Sequence, residues 1–344
     1  MPVVDPKRLV EARVAAIRAF HERTGLAGAE IDVSGGVDSA TLLCLLARAL
    51  GPDHVVAVYS SIQSTRASRD RAREVAAAAG VKLLEFDLSG VFDAVVEQTE
   101  ACLERAYGPE ALEAARRLRV RDRTVDGALR SCLRAPLGRY LNRLRGGIRH
   151  GTGNEDEDRF LRFYQKGGDG EVDTNPNAML SKGEVYQMAV ALGVPQSILE
   201  APPTPDLWGI GERHTDEDEL SRLSGVRWTY SRVDPDTGAY TRLGTIERMS
   251  RLLDRRCPDT DLTYETILFD TEDDDEAVAS PTLRAEAERF GLSVGHLRSA
   301  RRWERATRHK ANPNVPTLGT RRHLRERGLL DDALPLDLPA DGPP

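Results

Sequence analysis

Between residues 26 and 88 the chain alternates three short apolar runs with two helical patterns, and this alternation restricts the fold before any motif is read. Residues 26–33, the Val-rich 54–59 and 81–88 read as strands, while 39–50 and 66–79 read as helices, the latter closed by Gly80. Strand, helix, strand, helix, strand at this spacing predicts an α/β fold, a parallel sheet flanked by helices with right-handed crossovers. Ligands of such sheets sit outside the carboxyl ends of the strands. The first run ends there at Ser34-Gly35-Gly36.

The rest of the chain is read around that unit. Residues 6–23 carry apolar side chains at helical spacing, 91–145 are largely helical and Arg-rich, and 147–153 resemble a further strand and turn. Residues 181–192 form a helix, with Ser181 and Glu184 as a capping box and Gly193 as its stop. Residues 221–262 show little regular pattern and are expected to be an insertion or small subdomain. The predicted organisation is a core at 1–220, that insertion, a C-terminal part of the same domain at 263–333, and a disordered Pro-rich tail at 334–344.

The balance of 48 Lys+Arg against 55 Asp+Glu, a net charge of −7, argues against a nucleic-acid binder, which needs a broad basic surface. No stretch approaches the roughly 20 apolar residues of a membrane span. Cys44, Cys102, Cys132 and Cys257 are far apart, form no CxxC pair and read as reduced thiols. With no apolar leader at the N-terminus, a cytoplasmic protein is expected.

The motif Ser34-Gly35-Gly36-Val37-Asp38-Ser39 lies at a strand-to-helix junction. Glycines allow close backbone approach, and the helix start offers free N–H groups and the positive end of its dipole. With the Ser34 and Ser39 hydroxyls these make a cradle for pyrophosphate. Asp38 would repel bare phosphate unless a divalent cation lies between them. The alternative is that Asp38 or Ser39 simply caps the helix. The motif is neither a Walker A loop nor a GxGxxG fingerprint.

Ser34 to Ser39 resemble the PP-loop of the N-type ATP pyrophosphatases, whose adenine nucleotide alpha hydrolase-like, Rossmann-like fold is therefore implied. Gly151-Thr152-Gly153-Asn154, Lys166 to Asp173, Leu180 to Tyr186, Pro202 to Trp208, Thr215 to Leu220, and His309-Lys310 before Asn312-Pro313 are similar, in order, to motifs of the ammonia-dependent NAD synthetases. The resemblance implies that Ser34, Gly35, Gly36, Val37, Asp38 and Ser39 bind the pyrophosphate of ATP. It also implies that Arg134, Thr152, Lys182 and Thr204 contact ATP, and that Asp169, Asp173, His309 and Lys310 face deamido-NAD. Mg2+ would be held by Asp38 and Glu157, the latter by its spacing from Thr152; Asp158 is the rival when counted back from Asp169. Asp38, Lys182, Asp173, His309 and Lys310 would carry the chemistry, with Asp173 accepting a proton from ammonium.

The implied reaction joins deamido-NAD, ATP and ammonia to give NAD, AMP and pyrophosphate. Ammonia would come free or from a separate glutaminase, since only about thirty residues precede the loop. A homodimer with an interface on the 110–145 helices is also implied. The resemblance is weaker at Ala128 and Cys132, where the family has Asn and Arg, at Tyr59-Ser60, at Ala311 and through 221–262. These departures touch the substrate side more than the ATP side. The alternative is thus a divergent amide ligase of the same family acting on another carboxylate.

Overall fold

The computed structural model describes residues 5–204, 215–271, 274–311 and 320–330. Helix α1 (Pro6–Thr24) opens the chain; Asp5 caps it by accepting from the N–H groups of Lys7 and Arg8, and Leu9, Val10, Val14 and Ile17 are its buried stripe. Then follow β1 (Gly28–Asp32), α2 (Val37–Leu50), β2 (Val55–Ser61), α3 (Arg66–Ala78) and β3 (Leu83–Asp87). The Arg-rich stretch is three helices, α4 (Ser89–Tyr107), α5 (Pro109–Arg121) and α6 (Thr124–Arg145), leading into β4 (Gly147–His150).

The four strands form a parallel sheet in the order β3-β2-β1-β4. The order reverses between β1 and β4, so a crevice opens where the chain leaves those two strands. After β4 come the short α7 (Glu155–Asp158), then α8 (Lys182–Leu192) and α9 (Gln196–Leu199). The predicted capping box on α8 is present, with Ser181 and Glu184 satisfying each other's backbone N–H. An aliphatic cluster including Ile31, Leu43, Leu46, Ala57, Val185 and Met188 packs around the sheet, each larger member contributing roughly 1.5–3 kcal/mol by leaving water.

The C-terminal half has no part in that sheet. It comprises α10 (Asp216–Ser224), a hairpin of β5 (Arg232–Val233) and β6 (Tyr240–Arg242), α11 (Thr245–Leu253), α12 (Tyr264–Asp270), α13 (Asp274–Ala279), α14 (Pro281–Arg289), α15 (Val294–Thr307) and α16 (Arg321–Glu326). Its cluster is aromatic-rich, with Trp228, Tyr230, Tyr264, Phe269 and Phe290 joined by Phe160 and Leu161 from beyond α7. Residues 221–262, which carry little visible pattern in sequence, thus hold a hairpin and a helix that is buried along its whole length. The expected tail at 334–344 lies outside the described residues, as do Asp206, Leu207 and Trp208. Among the described residues no helix is long and apolar enough to cross a membrane, and all four cysteines are free.

Candidate active site

The glycine loop leaves β1 and turns directly into α2, which begins at Val37 rather than Ser39, so Asp38 and Ser39 lie in its first turn. Gly36 is the N-cap and no side chain caps the helix. Capping by Asp38 or Ser39 is thereby set aside: the Ser39 hydroxyl donates to the Gly36 carbonyl at 3.0 Å instead, and the first-turn N–H groups stay open to a ligand. Gly35 has a φ of +83°, and a Cβ there would lie 2.3 Å from the Ser68 carbonyl oxygen. Only glycine satisfies both conditions. From α3, Arg71 donates to the Gly35 carbonyl at 3.0 Å and holds the loop from behind.

Across the crevice, the turn after β4 meets this loop. Asn154 donates to Asp38 Oδ1 at 2.9 Å. Lys182, the first residue of α8, donates to Asp38 Oδ2 at 2.5 Å and to Glu157 Oε1 at 2.8 Å. The Lys182 ammonium is almost wholly buried. Burial opposes its charge, but the Asp38 and Glu157 carboxylates outweigh that cost and hold its pKa well above the usual lysine value. Burial likewise raises Glu157, with Lys182 pulling the other way. Asp158 turns elsewhere: it accepts from Asn175 Nδ2 at 2.9 Å. Of the two rivals, Glu157 is the one that faces Asp38 through a shared cation.

These groups line a cavity of about 840 Å³. The loop from Ser34 to Ser39, Arg134, Thr152, Glu157, Lys182, Thr204, Asp169 and Lys310 all reach it. Arg134 donates to the Ser60 carbonyl at 3.1 Å, beside the end of β2. Asp169 is tied to α6, accepting from Ser131 Oγ at 2.7 Å. Lys310 Nζ donates to the carbonyls of Tyr164 and Arg162 at 2.7 and 3.2 Å; burial lowers its pKa, partly offset by Asp169.

Two expected residues are not in this lining. Asp173 pairs with Arg139 at 2.6 Å and accepts from the Arg149 backbone N–H at 2.8 Å. It belongs to an ion network at the β4 edge. His309 is exposed in the turn Arg308–Lys310, where its carbonyl accepts from Lys166. Among the described residues, Asp173 and His309 therefore stand outside the cavity that holds Asp38, Glu157, Lys182 and Lys310.

Among the lining residues to which the sequence assigned no role are Asp216, Arg162, Arg302 and Trp303. Asp216, in the Thr215 to Leu220 motif, is buried with Oδ1 lacking a partner among the described residues. Burial pushes its pKa up to about 7, with Lys182 opposing. Arg162, at a φ of +45°, is anchored on the Glu304 carboxylate at 3.2 Å. Arg302 and Trp303 come from α15, more than 250 residues from the glycine loop whose cavity they share. Asp216 was visible in its motif; for the other three no local pattern exists.

Sheet order, crevice and glycine loop together define a nucleotide-binding α/β fold of the PP-loop type. A family model described as NAD synthase matches residues 9–235. The NH(3)-dependent NAD(+) synthetase of Methanococcoides burtonii is 35% identical over 214 residues, 62% of this chain and 72% of that protein. Its counterpart from Alkaliphilus metalliredigens is 33% identical over 225 residues, 65% of this chain and 83% of that one. In three dimensions an NMN synthetase structure from Francisella tularensis superposes with a TM-score of 0.60 at 18% identity, covering 90% of this chain and 99% of that one, which speaks to fold alone. The chain belongs to the NAD synthase family.

Proposed function

We propose that this ATP-dependent ligase activates the carboxylate of deamido-NAD as an acyl-adenylate and transfers the acyl group to ammonia, giving NAD, AMP and pyrophosphate. The observation that carries the reading is Lys182, buried and shared by Asp38 of the glycine loop and Glu157 after β4. That constellation stands at the reversal of strand order, where an α/β sheet of this type takes its ligand. The first-turn N–H groups of α2 and the Ser34 and Ser39 hydroxyls receive the β- and γ-phosphates. Arg134, Thr152 and Thr204 line the same cavity and contact the ATP bound there.

The carboxylate oxygen attacks the α-phosphorus and the bond to the β-phosphate oxygen breaks; the loop keeps the departing pyrophosphate. Lys182 offsets the negative charge that builds on the phosphoryl oxygens. Ammonia then adds to the acyl carbon, loses a proton, and AMP leaves. Asp169 is the acid on the acyl side of the cavity, with Lys310 beside it. Asp38 and Glu157, which share the Lys182 ammonium, are also the carboxylates that would hold Mg2+, since that ion takes one or two carboxylates plus substrate phosphates. Bound by them, Mg2+ would supply charge neutralisation for the triphosphate and the leaving pyrophosphate.

The test is incubation with ATP, Mg2+, ammonium and deamido-NAD. NAD, AMP and pyrophosphate should appear in equal amounts; AMP formation indifferent to the added acid would reject the reading. One observation favours another carboxylate as substrate. The cavity wall formed by Arg302, Trp303, Ala306 and Thr307 lies beyond residue 235, outside the family match, and Ala128, one of the departures from the family motif, also lines the cavity. Parallel assays with other carboxylic acids decide between the two.

The reading extends to a homodimer and to the cytoplasm. Val120 (83% exposed), Tyr140 and Leu144 (63% each) leave apolar surface on α5 and α6, the kind of patch that association covers. Sedimentation velocity should show a dimer that Val120→Asp with Tyr140→Asp shifts to monomer; an unchanged sedimentation coefficient would place the interface elsewhere.

A further inference from the structure

The α7 and α8 starts that carry Glu157 and Lys182 meet directly, the Lys182 N–H donating to Asp156 Oδ2 at 3.0 Å and the Glu155 N–H to the Leu180 carbonyl at 2.7 Å, and their side chains are bridged from behind by one residue of the C-terminal segment. Arg321, at the start of α16, is nine-tenths buried. Its Nη1 donates to Glu155 Oε2 at 2.9 Å, to Glu184 Oε2 at 2.8 Å and to the Met179 carbonyl at 3.0 Å, and its Nη2 donates to Glu184 Oε1 at 2.8 Å. Glu155 stands two residues before Glu157, and Glu184 two residues after Lys182. Glu184 is also the capping-box partner of the Ser181 N–H, at 2.9 Å. A planar guanidinium offers five N–H donors in a rigid fork that fixes the directions of its acceptors, whereas an ammonium offers three on a flexible stem.

We propose that Arg321 is a positioning residue for the adenylation chemistry, setting the spacing between Lys182 and Glu157 by bridging Glu184 to Glu155; this rests on the reading given under Proposed function. The two carboxylates face a common cation in the interior, and without it their repulsion separates α7 from α8. Each keeps a second arginine. Arg251 Nη2 donates to Glu184 Oε1 at 2.6 Å, and Arg159 Nη1 to Glu155 Oε1 at 3.3 Å. Loss of Arg321 therefore removes the bridge but leaves countercharge on both sides, so the fold has a means of surviving it. Residue 321 lies beyond the family match at 9–235 and does not line the cavity, so its effect on the reaction passes through Glu155 and Glu184.

The experiment compares Arg321→Met, Arg321→Lys and the double variant Arg321→Met with Glu155→Gln against the unaltered protein, with Arg322→Ala, an exposed neighbour paired with Glu326, as control. All are assayed below their melting temperatures for kcat, for both KM values, and for equilibrium binding of pyrophosphate with Mg2+ in the absence of turnover. Arg321→Met should lose about 10- to 100-fold in kcat, as displacement of a supported group does. Its KM for the acyl substrate should stay within about twofold, and pyrophosphate binding should weaken. Glu155→Gln should restore part of kcat by removing the repulsion, and Arg322→Ala should behave as the unaltered protein. Folded Arg321→Met with a lowered melting temperature but undiminished kcat and pyrophosphate affinity would reduce Arg321 to a structural clamp and overturn the proposal. If Arg321→Met does not fold, Arg321→Lys decides: wild-type kcat and pyrophosphate affinity in that variant overturn it, and loss of both supports it. If the unaltered protein does not amidate deamido-NAD, the functional reading fails alone, and pyrophosphate binding still judges Arg321.

Discussion

The sheet half and the helical half of the molecule each bury an apolar cluster, yet they are built from different material. Around the sheet the cluster is mainly Leu, Val, Ile and Ala, set by the repeating alternation of strand and helix. In the C-terminal half leucines share the cluster with large rings, Trp228, Tyr230, Tyr264, Phe269 and Phe290, gathered between short helices. The seam is ionic: Arg159, Arg251, Arg321 and Arg325 meet Glu155, Glu184, Glu247, Asp254 and Glu265. Both halves also cross it with apolar residues, since Leu324, Leu329 and Leu330 join the sheet cluster and Phe160 and Leu161 the aromatic one. The division of labour follows. Acids and cation for phosphate chemistry come from the sheet half, the far wall of the cavity from α15, and the seam couples the two.

The comparison breaks first at Asp38. If the sheet half alone carries the phosphate chemistry, Asp38→Ala should slow acid-dependent AMP formation by about a thousandfold or more while leaving the far-ultraviolet spectrum unchanged; an undiminished rate would remove the site from this half. Next, Trp228→Ala should cost about 3–5 kcal/mol and Leu43→Ala about 2–5 kcal/mol. With a buried ionic seam both should shift one urea transition followed by fluorescence and by circular dichroism; two separated transitions would make the halves independent.

A smaller effect is expected at the cavity wall. Arg302 is exposed on α15, and the described residues offer it no ion-pair partner. Arg302→Ala should raise KM for the acyl substrate about tenfold, the worth of one hydrogen bond to a charged group, with KM for ATP unmoved. An equal rise in both would place Arg302 on the nucleotide.

The smallest effect lies beneath the sheet half. His150 Nε2 meets His21 Nε2 at 3.0 Å, and burial, reinforced by His21, lowers the His150 pKa from 6.5 to about 3. His150 is therefore neutral when folded but takes up a proton below about pH 6.5 when unfolded. Its contribution is complete above pH 6.5 and is lost as pH falls toward 3, by up to about 1.4 kcal/mol per pH unit. The stability of the native protein relative to His150→Gln should accordingly decline between pH 7 and 5 in urea titrations; a constant difference would mean that His150 does not titrate on unfolding.

Local pattern served the first half well. The strands expected at 26–33, 54–59 and 81–88 are found as Gly28–Asp32, Val55–Ser61 and Leu83–Asp87, and the capping box at Ser181 and Glu184 is present. The start of α2 was misplaced by two residues because Gly36, not a side-chain cap, begins it. Residues 221–262 resisted because α11 buries its polar face as well as its apolar one. Glu247 and Arg251 look like solvent-facing charges in sequence and are paired in the interior. Asp173 shows the limit of a motif from the other side: its loop fits the family pattern, and only the tertiary structure shows Arg139 and the Arg149 backbone N–H as its partners.

The sequence by itself determined the parallel sheet, the glycine loop that opens α2, and the acids and lysine from which a phosphate site can be assembled. Those follow from periodicities and turn chemistry that act over a few residues. Only the tertiary structure decided that Lys182 joins Asp38 to Glu157, that α15 closes the cavity, and that Arg321 ties α7 to α8. Such pairings join residues up to 166 positions apart. They depend on which buried charges find one another when the two clusters close, and no local pattern encodes that.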